Sequence, residues 1–279
     1  PQGGHAARDR RVGHVDHAPK ALALESIDMT ETITAAVLII GNEILSGRTQ
    51  DLNMSFLGSR LNELGIQMKE ARVVADEETE IVDALNALRN RYDYVFTTGG
   101  IGPTHDDITV DAVAAALGVE VVIHPDARAI LEKYYADKPG GLNEARLRMA
   151  RVPEGAELIP NRMSGAPGIK LGNIHLMAGV PHITAGMLDA LTGTLEGGLP
   201  LLAETIGCWT PESEVADILR QVETAHENCQ IGSYPFFREG RVGANFVVRS
   251  TSREELRSCV DSLCDGLATA GFDFTPGGI

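Results

Sequence analysis

Two adjacent carboxylates, Asp106 and Asp107, close a glycine-rich turn in the stretch TTGGIGPTHDDIT, residues 97 to 109. Gly99, Gly100 and Gly102 follow a strand-like run and precede a helix-like one, so the backbone can turn tightly and present amides to an anion at a helix N-terminus. Carboxylates beside such a phosphate cradle repel the anion unless a cation lies between them. A divalent ion held by one or two carboxylates and by phosphate oxygens removes that conflict and polarises the phosphoryl group. The same turn also suits a plain strand-to-helix junction in which Thr104 and Asp107 merely cap the helix. This stretch alone leaves both readings open.

A second polar cluster, GNEILSGRTQDLN (41 to 53), carries Gly41, Glu43 and Asp51 directly after an apolar run. The C-terminal ends of parallel strands open onto one crevice, so Glu43 and Asp51 are expected to face the same cleft as Asp106 and Asp107. Taken singly, Glu43 reads as a solvated loop residue and Asp51 as a cap for a helix starting at Leu52. Asn161, Gly165 and Gly168 in IPNRMSGAPG are candidates for the far wall of a pocket, because glycine and proline permit close backbone approach. An ordinary loop between strands explains them too. His105 is the only imidazole in the glycine motif, and it reads as an exposed loop histidine.

The elements that must hold these residues alternate. AAVLII (35 to 40) is a short apolar run of buried-strand type, and NMSFLGSRLNEL (53 to 64) sets Phe56, Leu57, Leu61 and Leu64 at helical spacing before Gly65. Strands are expected over 66 to 74, 93 to 99 and 119 to 123, with helices over 77 to 91, 109 to 118 and 125 to 136, the last opened by Pro125. This alternation predicts an α/β domain over residues 30 to 199, with a largely parallel sheet and helices on both faces. From about residue 200 the pattern becomes strand, helix, two strands joined at Glu239-Gly240, and a last helix opened by Ser252 with Glu255. That predicts a smaller α+β domain of βαββα order over residues 200 to 279. Its Gly240-Arg241-Val242-Gly243 imitates the loop of KH RNA-binding domains, but it falls in a hairpin rather than between helices.

Composition narrows the partners. The chain has 279 residues and a formal charge of -15, with no cluster of lysine and arginine, so nucleic acid is not an expected partner. From Ala203 onward there are 6 arginines, no lysine and 12 acidic residues, which works against RNA on the KH-like segment. No apolar run approaches the roughly 20 residues of a membrane span. Cys208, Cys229, Cys259 and Cys264 form no Cys-x-x-Cys pair and read as buried free thiols in a cytoplasmic protein. Residues 1 to 29 have no apolar core of signal-peptide length and read as a mobile leader, with Met29 a plausible start.

GNEILSGRTQDLN, TTGGIGPTHDDIT, NEARLRMARVPEGAELIPNRMSGAPG and HLMAGVP, in this order and spacing, resemble the molybdopterin-binding (MoCF) domain of the competence/damage-inducible protein A (CinA) family. A similar domain stands at the N-terminus of eukaryotic FAD synthases. The resemblance runs from about Thr34 to Leu191, and the tail resembles the small KH-like domain that follows in that family. GGIGPTHDD distinguishes this branch from the molybdenum-cofactor adenylyltransferases, which resemble it in Gly-Gly-x-Gly and at Asp107 but lack an acidic residue matching Asp106.

The resemblance implies a three-layer α/β/α sandwich, often dimeric. In long members it implies a metal-dependent pyrophosphatase acting on ADP-ribose-like nucleotides. Carried to matching positions, Gly99, Gly100, Gly102 and Thr104 would hold phosphate, while Asp51 and Asp107 would serve metal and catalysis. Two positions depart from the pattern: the usual Pro-Gly-Val-Pro reads Ala178-Gly179-Val180-Pro181, and the glutamate common two residues later is Ile183. The C-terminal amidase domain of long members is not expected here. The function expected is hydrolysis of an ADP-ribose- or FAD-like dinucleotide with Mg²⁺, with Asp106 or Asp107 activating water. The alternatives are molybdopterin binding or adenylyl transfer in molybdenum cofactor biosynthesis, and a non-catalytic pterin or nucleotide binder. The expected partners are a small-molecule nucleotide or pterin phosphate and further copies of the chain.

Overall fold

The computed structural model describes residues 32–279, and the leader expected over residues 1 to 29 lies outside them. The first half follows the expected wind: β1 (Ile33–Ile40), α1 (Asn42–Leu45), α2 (Asn53–Glu63), β2 (Ile66–Val74), α3 (Glu78–Arg89), β3 (Tyr94–Thr98) and α4 (Thr109–Leu117). Then come β4 (Val121–Ile123), α5 (Pro125–Tyr135), α6 (Glu144–Leu147), β5 (Arg151–Pro153), β6 (Glu157–Ile159), β7 (Gly168–Leu171), β8 (Ile174–Met177) and α7 (Pro181–Leu191). The main sheet has the order β2-β1-β3-β8-β7-β6. Its first four strands are parallel, and β7 and β6 extend it antiparallel.

Strand alternation sends successive side chains to opposite faces, and each face has its own helices. Ala36, Leu38, Val95 and Leu176 pack under Ile81, Leu85 and Leu88 of α3 and Val110 and Val113 of α4. Ala35, Val37, Phe96 and Met177 pack under Leu57 and Leu61 of α2 and Met187, Leu188 and Leu191 of α7. The result is a three-layer α/β/α sandwich. Each fully buried leucine or phenylalanine contributes about 1.5–3 kcal/mol, so loss of either helix layer would strand one whole face of β1 and β3. The expected strand at 119 to 123 is shorter and leaves the main sheet. As β4 it pairs antiparallel with β5, because the chain from α4 runs out over the sheet's flank.

The last part contains β9 (Leu202–Cys208), α8 (Glu212–Ala225), β10 (Gln230–Arg238), β11 (Arg241–Ser250), α9 (Arg253–Thr269) and β12 (Phe274–Pro276). Its antiparallel sheet, ordered β10-β11-β9-β12, has a separate core around Phe246, Val215 and Leu263. The sequence pattern missed β12, a strand of three residues with no alternation of its own, which makes the order βαββαβ. Glu239 (φ 52) and Gly240 (φ 73) form the tight hairpin turn between β10 and β11, so the KH-like glycines are hairpin residues. Ser252 caps α9 by accepting from the Glu255 amide, as expected. Cys208, Cys229 and Cys259 are buried free thiols, and Cys264 is partly buried. Among the described residues, no helix is long and apolar enough to cross a membrane.

His175 on β8 is 1% exposed and stacks on Phe96, ring centroids 5.0 Å apart, with no partner for Nδ1 among the described residues. Burial drives its imidazole from the ordinary 6.5 down to about 4. As pH falls, the unfolded chain takes up this proton first. Stability is therefore complete above 6.5 and is lost down to about 4, at up to about 1.4 kcal/mol per pH unit. His175→Phe should flatten this slope: urea midpoints at about pH 7 and pH 5 should differ less in the variant than in the wild type. Identical differences would rule out His175 as the titrating group.

Candidate active site

β3 ends at Thr98, and Gly99 (φ 102) and Gly100 (φ 67) turn the chain into the loop before α4. Only glycine fits at Gly99, because a Cβ there would sit 2.2 Å from the Ile40 carbonyl oxygen. The base of the loop is pinned by Thr109, whose hydroxyl donates to the Gly99 carbonyl (3.0 Å) and whose amide donates to the Gly100 carbonyl (3.0 Å). At the tip, Thr104 donates its amide (2.7 Å) and its hydroxyl to Asp107 Oδ2, and the Asp107 amide donates back to the Thr104 carbonyl (3.3 Å). Asp107 is thereby held in one orientation. The Asp106 carboxyl, beside the Thr104 side chain and its own amide, lies below its ordinary value.

The loop and the ends of β1 and β8 enclose a cleft of about 540 Å³. Glu43, Asp76, Asp106 and Asp107 line it together with Gly99, Gly100 and Gly102, while Met149, Ala178, Val180, Ile183 and Met187 form an apolar wall. No lysine or arginine is among the lining residues. The amides of Gly100, Ile101 and Gly102 have no acceptor among the described residues. Gly99 plays another part than a phosphate donor, since its amide donates to the Met177 carbonyl (3.2 Å).

Other expected site residues fall around the cleft in distinct ways. Gly41 uses its amide on the Val74 carbonyl (3.2 Å), and its missing Cβ leaves room for the Glu43 carboxylate, which would otherwise be 2.6 Å away. Thr104 orients Asp107 and is not itself among the lining residues. Asn161 shapes the far loop: its Oδ1 accepts from the Met163 amide and its Nδ2 donates to Ser164 Oγ and the Ala166 carbonyl, bringing Ser164 and Ala166 to the cleft. Gly165 (φ 78) lies against the Tyr134 ring, and a Cβ on Gly168 would come within 2.8 Å of the Leu176 carbonyl oxygen, so both answer to packing. Asp51 caps α2 by accepting from the Met54 amide (2.9 Å) and borders a smaller recess beside the cleft, shared with Glu43. His105 is 99% exposed at its side chain, as its loop position suggested.

Two residues here were not anticipated. Asp76, just past β2, lines the cleft and accepts from the Asn42 amide at the start of α1 (2.8 Å). Its signal in the sequence is a carboxylate soon after a strand end, the same signal that marked Glu43. Arg148 lies behind the glycine loop, donating from Nη2 to the Asp107 carbonyl oxygen (3.4 Å) and bordering a small pocket with Ile101, Gly102 and Asp107. Among the described residues, no three histidine, cysteine, aspartate or glutamate side chains are grouped closely enough to hold a metal ion by themselves.

Residues 36–197 match the family described as "Probable molybdopterin binding domain", and residues 200–273 match "FAD synthase, middle domain". A protein of Aeropyrum pernix is 32% identical over 245 residues, covering 82% of this chain and 90% of that protein. A probable FAD synthase of Caenorhabditis elegans is 31% identical over 264 residues, covering 86% of this chain but 51% of that protein. The solved structure of the protein CinA, of unknown function, from Thermoplasma acidophilum is 35% identical, with a TM-score of 0.53, and the match covers 58% of this chain and 98% of that one.

Two glycine substitutions separate fold from site. Gly99→Ala places a methyl against the Ile40 carbonyl at positive φ and should lower stability by about 2 kcal/mol or more, read as a fall in the denaturant midpoint. The three atoms nearest a Cβ on Gly102 all belong to the flexible Asp107 carboxylate, with Oδ2 at 2.6 Å, so Gly102→Ala should leave the midpoint within about 1 kcal/mol while displacing Asp107 from Thr104. Equal destabilisation by both would show that the loop tip is part of the folding core.

Proposed function

Because the chain belongs to the molybdopterin-binding-domain family, in its CinA branch, we propose that the cleft binds a nucleotide diphosphate ester such as ADP-ribose or FAD and hydrolyses its pyrophosphate bond with a divalent cation. The observation that carries this reading is the lining itself: four carboxylates and no lysine or arginine beside three unpartnered loop amides. A cleft so charged repels a phosphate by itself, whereas hard carboxylate oxygens suit Mg²⁺, which keeps waters and shares phosphate oxygens instead of requiring a full set of protein ligands. One or two of the cleft carboxylates, Asp107 among them, would hold the ion together with phosphate oxygens and waters, and the ion would neutralise and polarise the diphosphate.

The rest of the chemistry belongs to the chain. The Gly100, Ile101 and Gly102 amides hold phosphate oxygens near the start of α4, where the helix adds its own partial positive charge. Thr104 occupies Oδ2 of Asp107, which leaves Oδ1 for the ligand. Asp106, ionised at neutral pH and 65% exposed at its side chain, accepts the proton of the attacking water. The apolar wall excludes water from the flat ring system of the nucleotide. The name of the Caenorhabditis elegans relative and the match to the FAD synthase middle domain support a nucleotide rather than a free sugar phosphate as ligand.

Incubation with ADP-ribose should yield AMP and ribose 5-phosphate in Mg²⁺ and neither in EDTA. Asp107→Asn keeps shape and capping oxygen but removes the charge, so kcat should fall by about a hundredfold or more with the melting temperature little changed. Calorimetry should show ADP-ribose binding at least about tenfold weaker in EDTA than in Mg²⁺, because cation and diphosphate tighten each other by the same factor. Tight binding without turnover in either condition would make the chain a nucleotide binder. Equal affinity in both conditions would refute the cation bridge.

A further inference from the structure

Beside the main cleft, on the α2 and α7 side of the sheet, lies a recess of about 70 Å³ bordered by Glu43, Asp51, Asn53, Thr98, Gly179 and Pro181. Glu43 lines both spaces, so they adjoin. Two buried polar atoms in its wall have no hydrogen-bond partner among the described residues: Oγ1 of Thr98, a residue 1% exposed, and Oδ1 of Asn53, a residue 4% exposed. Asn53 cannot relieve this by turning its amide, because Nδ2 donates to the Gly179 carbonyl (2.8 Å). The open atom is therefore an acceptor, and the Thr98 hydroxyl, whose residue borders the same recess, can donate or accept. Polar groups buried in this way ordinarily have partners, and the two orphans border one recess.

The recess accepts few chemistries. A phosphate offers no donor to Asn53 Oδ1 and meets the carboxylates of Glu43 and Asp51. A bare cation meets the positive N-terminal ends of two 11-residue helices, α2 starting at Asn53 and α7 at Pro181. A hydroxyl group satisfies both sides, donating to Asn53 Oδ1 or a carboxylate and accepting from Thr98. Two orphan atoms in one small space call for two hydroxyls held close together. We infer that the recess takes the vicinal hydroxyls of a ribose of the bound nucleotide, the wall yielding slightly as the sugar enters. This rests on the nucleotide reading of the main cleft and adds which part of the ligand is recognised: a ribonucleotide is selected over a deoxyribose analogue by Thr98 and Asn53.

The test is calorimetry in Mg²⁺ with ADP-ribose and two analogues, each lacking the 2′- and 3′-hydroxyls on one of its two riboses. Wild type should bind one analogue about tenfold more weakly than ADP-ribose, the worth of one or two buried hydrogen bonds. Thr98→Val should lose about as much affinity for ADP-ribose and no longer distinguish that analogue, since the hydroxyl and its partner are removed in one thermodynamic cycle. Thr98→Ser, which keeps the hydroxyl, should retain the distinction. The melting temperature of Thr98→Val should equal or exceed that of wild type, because an orphan hydroxyl is gone, and this separates lost recognition from lost folding. Should Thr98→Val misfold, the wild-type and Thr98→Ser analogue series decide alone. Equal binding of all three ligands by wild type overturns the ribose assignment and leaves the nucleotide reading standing. Failure of ADP-ribose to bind at all overturns both. An equal loss for all three ligands in Thr98→Val, accompanied by a raised Mg²⁺ requirement, overturns the assignment in favour of a cation in the recess.

Discussion

Three parallel strands end at the same level, and their backbones meet without side chains between them. A Cβ on Gly99 would lie 2.2 Å from the Ile40 carbonyl oxygen, and one on Gly179 would lie 3.4 Å from the Gly99 Cα. The floor of the cleft is therefore main chain from the ends of β1, β3 and β8, held by the Gly99 amide on the Met177 carbonyl. With no side chain filling the crevice, a ligand can come down to backbone level, and the carboxylates can stand around the rim. Everything else in the site depends on this contact. If the strand ends were spread by a single methyl, the loop would lose its register with Thr109, and Asp106 and Asp107 would point elsewhere.

The rim is built by local bonds rather than by packing. Asp107 is set by Thr104 three residues before it, Asp76 by the amide that opens α1, and Asp51 by the amide of Met54. Each carboxylate is thus held by one or two donors and retains acceptor capacity toward the cleft or the recess. Such bonds orient an anion without neutralising it. Their sum is a cleft whose negative charge is uncompensated by lysine or arginine among its lining residues, while the Arg148 guanidinium sits behind the glycine loop. That separation is the reason a cation and a diphosphate belong together in the proposed chemistry. It also makes Ile183 intelligible: in the apolar wall, it leaves the acidic side of the cleft on the strand ends and the glycine loop alone.

How much of this is legible in the sequence differs by type of signal. The sandwich is legible because β1 and β3 are short continuous apolar runs, as strands covered on both faces require, and the faces of α2 and α3 carry helical spacing. The glycine loop and its two aspartates are legible because the conformations at Gly99 and Gly100 restrict the residue type. Asp76 is not, since nothing about ADEE after a strand distinguishes the carboxylate that lines a cleft from those that face water. Asn161, Gly165 and Gly168 were found for a reason that the structure refines: they shape the far loop by capping and close packing, and Ser164 and Ala166 reach the cleft. The strand at β4 is legible as an apolar run but not its pairing with β5, and the three-residue strands β5 and β12 escape any periodicity argument, because their existence is decided by partners distant in the chain.

The helix α2 ties the site to the rest of the molecule. Its first residue, Asn53, holds the start of α7 through the Gly179 carbonyl and borders the recess. In the last turn at its other end, Asn62 exchanges two hydrogen bonds with Leu201, at the entry to β9, and just beyond it Gly65 and Gly198 approach so closely that a Cβ on Gly65 would lie 1.9 Å from the Gly198 carbonyl oxygen. An 11-residue helix is about 16 Å long and does not compress, so a displacement of the chain at Gly198 is passed along α2 to Asn53 rather than absorbed. The junction with the antiparallel sheet and the wall of the recess are therefore two ends of one rigid element. The backbone packing at Gly65 and Gly198 thus does for α2 what the packing at Gly99 does for β3, fixing the axis on which the polar side chains of the site are carried.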